Sequence, residues 1–243
     1  SSEIEVEKQG TYLPDKEPQT TDLEIDLGFD IEAGDDESVS SNMDLVESLI
    51  FVAREEDTDE NEILATAKTC GVKDSRVVLL SDSTKGQAES ALRGLQSMSH
   101  PEGVVTIGNI DTLRPGMIVD IATSSAGWIE CVRAEGDHWS FVLPDPHQEG
   151  SVKKTSEKKR ISEFCSTGFY SFRSEDVFKE AYYSALKSPV ETELYISPLY
   201  NHMIEAGLEV GFSVVEESNV FFAGTPKEYA ACLEKQDLIR YVY

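Results

Sequence analysis

One candidate for metal chemistry is Asp111, in the stretch "GVVTIGNIDTLRPG" at residues 103–116. The run from Val104 to Ile107 is apolar and β-branched, which predicts a buried strand, and Gly108 ends it. An acid that follows a strand of an open α/β sheet lies where such sheets bind ligands, so Asp111 could hold a metal ion. Aspartate is also a common turn residue, because it hydrogen-bonds its own backbone. On this stretch alone both interpretations stay open, and the turn is the more common of the two.

A second candidate, for phosphate binding, is the basic stretch "KKTSEKKR" at residues 153–160. It is well suited to one phosphorylated small molecule, since a lysine ammonium is a compact positive charge. Composition alone favours a solvent-exposed loop, because runs of charged residues usually face water.

A third candidate is "GDHWS" at residues 136–140, where His138 stands between Asp137 and Trp139. Neighbours on a strand point to opposite faces, so a catalytic His–Asp pair is not expected. Trp139 could line a sugar or base pocket, although packing is the more common role of an aromatic residue. The remaining histidines and the four cysteines lack the spacing of a metal site.

Composition limits the classes of function. The chain of 243 residues, 40% hydrophobic, is long enough for one large α/β domain or two small ones. A net charge of -25 argues against a nucleic-acid partner. No apolar run approaches about 18 residues and no signal peptide is visible, so we expect no transmembrane helix. The scattered cysteines are expected to be reduced thiols, which favours a cytoplasmic protein.

The elements that must position these residues alternate between strand and helix. Apolar runs at 49–52, 77–80 and 104–107 predict buried strands, and the segments 59–71 and 84–98 between them have helical spacing. This alternation predicts βαβ units and a mostly parallel sheet.

The second half of the chain has a different pattern. Residues 127–162 alternate short strands with turns, which predicts an antiparallel insertion. A helix is expected after Ser174 as its N-cap, and another between Pro198 and Gly207. The predicted fold is therefore a three-layer, Rossmann-like α/β domain over residues 45–243, preceded by a divergent acidic segment at residues 1–44.

Seven motifs occur in the order found in sugar-phosphate nucleotidyltransferases, and the chain resembles that family over roughly residues 45 to 235. The motifs are "DSTKGQAESAL", "GNIDTLRPG", "GWIECVRAEGDHWSFV", "SEKKRIS", "STGFYSFRS", "YISPLYNHMIEAG" and "FFAGTPKEY". The most similar branch is the set of bacterial proteins linked to capsule and lipopolysaccharide synthesis. The resemblance implies attack of a sugar 1-phosphate, or a similar phosphate, on the α-phosphorus of a nucleoside triphosphate. It also favours the metal interpretation of Asp111 over the turn.

The resemblance implies a role for each matching residue. Asp111 would bind Mg²⁺, which needs only one or two carboxylates beside phosphate oxygens. Gly86 and Gln87 would lie beside the nucleotide base, and Asn109 would also contact substrate. The pair at 157–158 would bind the acceptor: Glu157 would accept hydrogen bonds from sugar hydroxyls, and Lys158 would bind its phosphate.

The front end of the chain departs from the family pattern. Members carry an N-terminal strand and a Gly-x-Gly-x-Arg loop, followed by a Pro-Lys that binds phosphate. This chain has no arginine before Arg54, and Lys16 in "LPDKEP" is only an imperfect match for the phosphate lysine. Ala223 stands where many relatives have a second metal-binding acid. An altered triphosphate loop, a degenerate paralogue and a replaced N-terminus remain open explanations.

The sequence is consistent with three functions. The first is Mg²⁺-dependent nucleotidyl transfer that makes an activated precursor for surface polysaccharide. The second is a non-catalytic protein that binds nucleotide or sugar phosphate. The third is glycosyl transfer from a nucleotide sugar, which ranks below the others because such enzymes usually show two aspartates where "NID" has one. The base, the acceptor and the oligomeric state stay open.

Overall fold

The computed structural model describes residues 48–69, 72, 74–98, 103–115, 117, 125–188 and 193–235. The predicted acidic segment 1–44, with the candidate Lys16, lies outside the described residues. The ten strands of the described part are β1 (Leu49–Arg54), β2 (Ser75–Leu80), β3 (Val105–Ile107), β4 (Thr112–Leu113), β5 (Gly127–Arg133), β6 (Ser140–Pro144), β7 (Val152–Glu157), β8 (Phe164–Phe172), β9 (Val210–Val214) and β10 (Phe221–Phe222). Its five α-helices are α1 (Glu60–Thr69), α2 (Gln87–Gln96), α3 (Glu175–Ala185), α4 (Leu199–Glu205) and α5 (Pro226–Glu234).

The first two strands form the predicted βαβ unit. β1 and β2 are paired in parallel, in a register that runs from Leu49 opposite Ser75 to Arg54 opposite Leu80, with α1 as the connection. Helix α2 follows β2 and packs against β1. Both strands therefore end near the start of α2, where an open α/β sheet can bind a ligand.

The larger sheet has β8 near its centre. Its strand order is β7-β6-β8-β5-β9, and β3 also pairs with β8. The long β8 strand uses one edge for two partners, with β6 beside Phe164 and Cys165 and β3 beside residues 170–172. Gly168, at φ +94°, lies between these two stretches of β8. A left-handed backbone in mid-strand favours glycine and interrupts regular pairing, so β8 can change partners there.

The α/β fold class is confirmed, but the sheet is mixed and not mostly parallel as predicted. Among the described strands only β1–β2 and β5–β9 are parallel pairs, while β3, β5 and β6 all run antiparallel to β8. The predicted antiparallel insertion is present as the β6–β7 hairpin. The preceding strand β5 lies inside the main sheet, because its residues from Gly127 to Val132 are nearly all buried and pair on both edges.

The main core lies between the larger sheet and helices α2, α3 and α4. Phe172 stacks on Tyr200 at 4.8 Å between ring centroids, and Phe178 meets Phe172 edge-on at 5.1 Å. Ser174 caps α3 as predicted, since its side chain accepts a hydrogen bond from the Val177 N–H. None of the helices in the described ranges is both long enough and apolar enough to cross a membrane.

Candidate nucleotide and phosphate site

A cavity of about 350 Å³ opens where β1 and β2 end and α2 begins. Its volume is within the range of small-molecule sites. Six of the residues that line it are Arg54, Asp82, Gly86, Gln87, Ser90 and Glu193. Two of the six are the predicted base-site residues Gly86 and Gln87, so the structure places both at one pocket.

The backbone at Gly86 is closely approached by the chain itself. Gly86 has φ +140°, and a Cβ there would lie 2.6 Å from the Leu194 carbonyl oxygen and 2.7 Å from its nitrogen. The Leu194 N–H donates to the Lys85 carbonyl at 2.8 Å, and the Ala88 N–H donates to the Leu194 carbonyl at 3.0 Å. The glycine is therefore required for docking residues 193–195 on the start of α2.

Gln87 and Asn109 meet although 22 positions separate them. The Gln87 amide donates to the Asn109 side-chain oxygen at 2.5 Å. Asn109 in turn rests on β8, where a Cβ on Gly168 would come within 2.7 Å of its amide nitrogen. The two predicted substrate residues thus support each other, and Gly168 supplies the space that Asn109 occupies.

The Glu157–Lys158 pair lies at the end of β7 and is held on both sides. Ser140 hydrogen-bonds the half-buried Glu157 carboxylate, while burial raises the pKa of Glu157 above its usual range. Lys158 has φ +52°, a conformation that is uncommon outside glycine, and its N–H donates to the Trp139 carbonyl at 2.9 Å. These contacts contradict a freely solvated loop at this pair.

The ammonium of Lys158 points to Tyr195. It donates a hydrogen bond to the Tyr195 hydroxyl oxygen and lies 4.5 Å from the ring centroid. The hydrogen bond to Tyr195 raises the pKa of Lys158. Tyr195 donates its own proton to Glu193, which lines the cavity. Lys158 and the cavity are therefore joined by a short hydrogen-bonded chain.

Asp111 lies in the turn between β3 and β4, four residues beyond the end of β3. The turn interpretation is correct for its backbone, and its carbonyl accepts a hydrogen bond from the Ala223 N–H at 2.8 Å. Its carboxylate is exposed and faces Gly224, where a Cβ would lie 2.7 Å from Asp111 Oδ2 and 3.9 Å from Glu228 Oε2. Two carboxylates thus approach the same point on the surface.

These carboxylates fit a magnesium ion completed by a ligand. No group of three or more potential metal ligands occurs among the described residues. Mg²⁺ is usually bound through one or two carboxylates and substrate phosphates, so Asp111 meets the requirement without such a cluster. Glu228 already accepts a hydrogen bond from Thr225, the N-cap of α5.

The "GDHWS" segment packs rather than lining the cavity. Trp139 contacts Phe222 at 4.7 Å between ring centroids, and its indole N–H donates to the Glu135 carbonyl at 2.8 Å. Asp137 pairs with Arg160 at 3.4 Å. The packing interpretation of Trp139 agrees with these contacts. Cys131, Cys165 and Cys232 are free and buried, and Cys70 lies outside the described residues.

Sequence reasoning missed Glu193, Tyr195 and Ser140. Glu193 and Tyr195 lie in the stretch "ETELYISP", which was interpreted only through the helix that follows it. The spacing of an acid and a tyrosine two residues apart was a usable signal, because such residues face the same side of an extended segment. Ser140 is 17 positions from Glu157 and gave no signal.

No family model and no curated protein sequence matches the chain. Solved structures do. A nucleoside-diphosphate-sugar pyrophosphorylase from Vibrio cholerae RC9 shares 34% identity at a TM-score of 0.73, over 78% of this chain and 82% of that one. An inositol-1-phosphate CTP transferase from T. maritima has 15% identity and a TM-score of 0.59, over 80% and 78% of the two chains. A CTP:phosphocholine cytidylyltransferase from Streptococcus pneumoniae has 12% identity and a TM-score of 0.56, over 78% of each.

The last two similarities show the shared fold alone. The first combines substantial identity with coverage of most of both chains. The chain belongs to the sugar-phosphate nucleotidyltransferase family.

Proposed function

We propose that the protein transfers a nucleotidyl group from a nucleoside triphosphate to a sugar 1-phosphate or a similar phosphate. An oxygen of the acceptor phosphate forms a bond to the α-phosphorus, the bond from that phosphorus to the bridging oxygen breaks, and pyrophosphate leaves. Positioning and charge neutralisation dominate such chemistry, because two anionic groups must meet. The observation that carries the proposal is the hydrogen-bonded chain from the cavity to Lys158.

The cavity suits the nucleoside better than the triphosphate. Two acids, Asp82 and Glu193, line it together with one arginine, Arg54. The hydrogen bond from Arg93 lowers the pKa of Asp82. Acceptor oxygens can bind amino and hydroxyl groups of a base or ribose, whereas they repel phosphates. Gln87 adds an amide at the same pocket.

The phosphates belong outside the cavity, near Lys158 and Asp111. Lys158 offers an exposed ammonium for the acceptor phosphate, and the half-buried carboxylate of Glu157 can accept from acceptor hydroxyls. When bound, Mg²⁺ would neutralise charge on the transferring phosphate. Asp111 is the residue that we propose to hold it, with Glu228 as the neighbouring carboxylate.

The product that we propose is an activated sugar or alcohol for surface polysaccharide. Support for this use comes from the motif order shared with capsule- and lipopolysaccharide-linked proteins, and from the similarity to a nucleoside-diphosphate-sugar pyrophosphorylase.

The first experiment is a thermal-shift panel of CTP, UTP, dTTP, GTP and ATP with Mg²⁺. A ligand at about 100 times its Kd stabilises the folded state by roughly 2.7 kcal/mol, so one triphosphate should stand out. That triphosphate is then tested for pyrophosphate release with glucose 1-phosphate, inositol 1-phosphate and phosphocholine. A cooperative melt that no triphosphate shifts would contradict the proposal.

The metal assignment is tested with Asp111→Asn. We expect the Mg²⁺-dependent part of the triphosphate-induced shift to disappear and pyrophosphate release to fall at least about 100-fold, as when one charge-stabilising group is removed. Asp137→Asn is the matched control, because Asp137 is an exposed aspartate paired with Arg160 at the surface. An unchanged Mg²⁺ dependence in Asp111→Asn would remove Asp111 from the metal site.

A non-catalytic binding protein is the second candidate. Ala223, which stands where many relatives have a metal-binding acid, favours it. A triphosphate that stabilises the protein but releases no pyrophosphate with any of the three acceptors would support this alternative.

A further inference from the structure

The segment from Glu193 to Tyr195 lies between the cavity and Lys158 and is fixed to the helix that borders the cavity. Both backbone hydrogen bonds of Leu194 go to the start of α2, and its side chain is buried. The nearest atoms to a Cβ on Gly86 all belong to residues 193 and 194. A ligand that moves the start of α2 must therefore also move this segment.

The two side chains that flank Leu194 are hydrogen-bonded to each other and contact different parts of the site. Glu193 lines the cavity, Tyr195 reaches Lys158, and the Tyr195 hydroxyl donates to the Glu193 carboxylate. The same hydrogen bond is the main cause that raises the pKa of Tyr195. The phenol is therefore a neutral link between a carboxylate and an ammonium.

Lys158 needs such a link, because its backbone is constrained while its side chain is long. Its left-handed backbone and its N–H bond to Trp139 set the direction in which the side chain leaves β7. A lysine side chain has several rotatable bonds beyond that point, and holding it in one position costs conformational entropy. Tyr195 offers both a hydroxyl acceptor and a ring face to the ammonium.

We propose that Glu193 and Tyr195 are positioning residues that couple the nucleotide pocket to the acceptor-phosphate lysine. A hydrogen-bond donor of a base or ribose bound in the cavity shares the Glu193 carboxylate with Tyr195. The hydrogen bond between the Tyr195 hydroxyl and the Lys158 ammonium changes as a result. The ammonium is then presented to the acceptor phosphate when a nucleotide is in place. By linkage, the two ligands strengthen each other's binding by the same factor. This inference rests on the proposed function.

The experiment measures binding by calorimetry on the full chain. The nucleotide is the triphosphate that responds in the thermal panel, and the acceptor probes are glucose 1-phosphate, inositol 1-phosphate and phosphocholine. A non-reacting α,β-methylene analogue of the triphosphate replaces it when both ligands are present. Each Kd is measured with and without saturating partner ligand, which gives the coupling factor directly.

Tyr195→Phe is the decisive variant, because it keeps the ring over Lys158 and removes only the hydroxyl. We expect the acceptor Kd at saturating nucleotide to rise roughly tenfold, the loss expected for one partly exposed hydrogen bond to a charged group. The nucleotide Kd measured alone should change less than about twofold, and the coupling factor should approach one. In turnover, KM for the acceptor should rise more than kcat falls.

Glu193→Gln tests the cavity end of the hydrogen-bonded series from Glu193 through Tyr195 to Lys158. It should weaken nucleotide binding and also reduce the coupling factor. Tyr183→Phe is the matched control, because Tyr183 is an exposed tyrosine on α3 and should leave every constant unchanged.

The outcomes separate the two proposals. If no triphosphate binds the unaltered protein, both the proposed function and this inference are contradicted. If the triphosphate binds but Tyr195→Phe keeps the full coupling factor, or no acceptor probe binds, only the coupling is overturned. Equal loss of both affinities together with a lower Tm would assign Tyr195 a structural role and likewise overturn it.

Discussion

Two residues of this site have backbone conformations that most residue types avoid. Gly86 is the clearest case, because its φ of +140° and the nearby Leu194 backbone both exclude a side chain. Lys158 takes a left-handed backbone next to a half-buried Glu157. Such constraints are often found at functional sites, where the surrounding structure holds a residue in an uncommon conformation.

Gly86→Ala should destabilise the protein by about 3 kcal/mol. Roughly 1–2 kcal/mol comes from the left-handed backbone and the rest from contact with Leu194, which is backbone and cannot rotate away. Gly103→Ala is the matched control, since Gly103 has φ +96° but nothing within 4 Å of its Cβ position. Urea unfolding of both variants measures the difference. Equal losses of stability would mean that the docking of residues 193–195 on Gly86 contributes nothing.

Glu157 should lower the free energy of unfolding as pH rises, whereas a salt-bridged acid raises it. Burial raises the pKa of Glu157 in the folded state, so the folded protein binds a proton more readily than the unfolded chain. This contribution is fully present below the ordinary glutamate pKa and is lost as pH rises through the raised pKa. Glu157→Gln should therefore gain stability relative to the unaltered protein as pH rises upward from about 5.

Unfolding free energies at several pH values test this, with Glu149→Gln as an exposed control. A difference between Glu157→Gln and the unaltered protein that does not vary with pH would show that the Glu157 carboxyl titrates normally.

The elements that position the site were largely predictable, because their signals are local. The apolar run of β1, the Ser174 cap of α3 and the spacing of Ala88, Leu92 and Leu95 in α2 all depend on nearby residues. The contacts between elements were not predictable from spacing. Lys158 meets Tyr195 across 37 positions, and Gln87 meets Asn109 across 22. Nothing in either local pattern specifies the partner, so the resemblance placed these residues near substrate without placing them beside each other.

Helix α2 begins at Gln87, directly after Gly86, and its position depends on close packing at Gly94. A Cβ on Gly94 would lie 2.7 Å from Val52 Cγ2 on β1. Alanine is favoured over glycine in a helix by about 1 kcal/mol, but the stiff valine cannot easily move aside. We expect Gly94→Ala to lower the free energy of unfolding by about 1 kcal/mol net, since overpacking costs roughly 1–3 kcal/mol.

The Val52→Ala background tests the cause of that loss. With the Val52 methyl groups removed, Gly94→Ala should become stabilising by up to about 1 kcal/mol, the helix preference alone. A double-mutant cycle measured by urea unfolding gives the coupling energy. Additive effects would show that α2 does not rest on β1 through this contact.

At the scale of the whole molecule, the net charge of -25 dominates the electrostatics. Like charges repel each other in the compact state, and added salt screens that repulsion over a Debye length of about 10 Å at 0.1 M. We therefore expect Tm at pH 7.5 to rise by a few degrees between about 20 and 300 mM NaCl. At about pH 5, where part of the carboxylates are protonated, the same salt series should have a smaller effect. A Tm that falls with salt at pH 7.5 would mean that attractive pairs such as Arg114–Glu130, 2.9 Å apart and nearly buried, outweigh the repulsion. The negative net charge also matters for function, because its field repels a nucleoside triphosphate. The local cations and the proposed Mg²⁺ must therefore overcome that repulsion at the site.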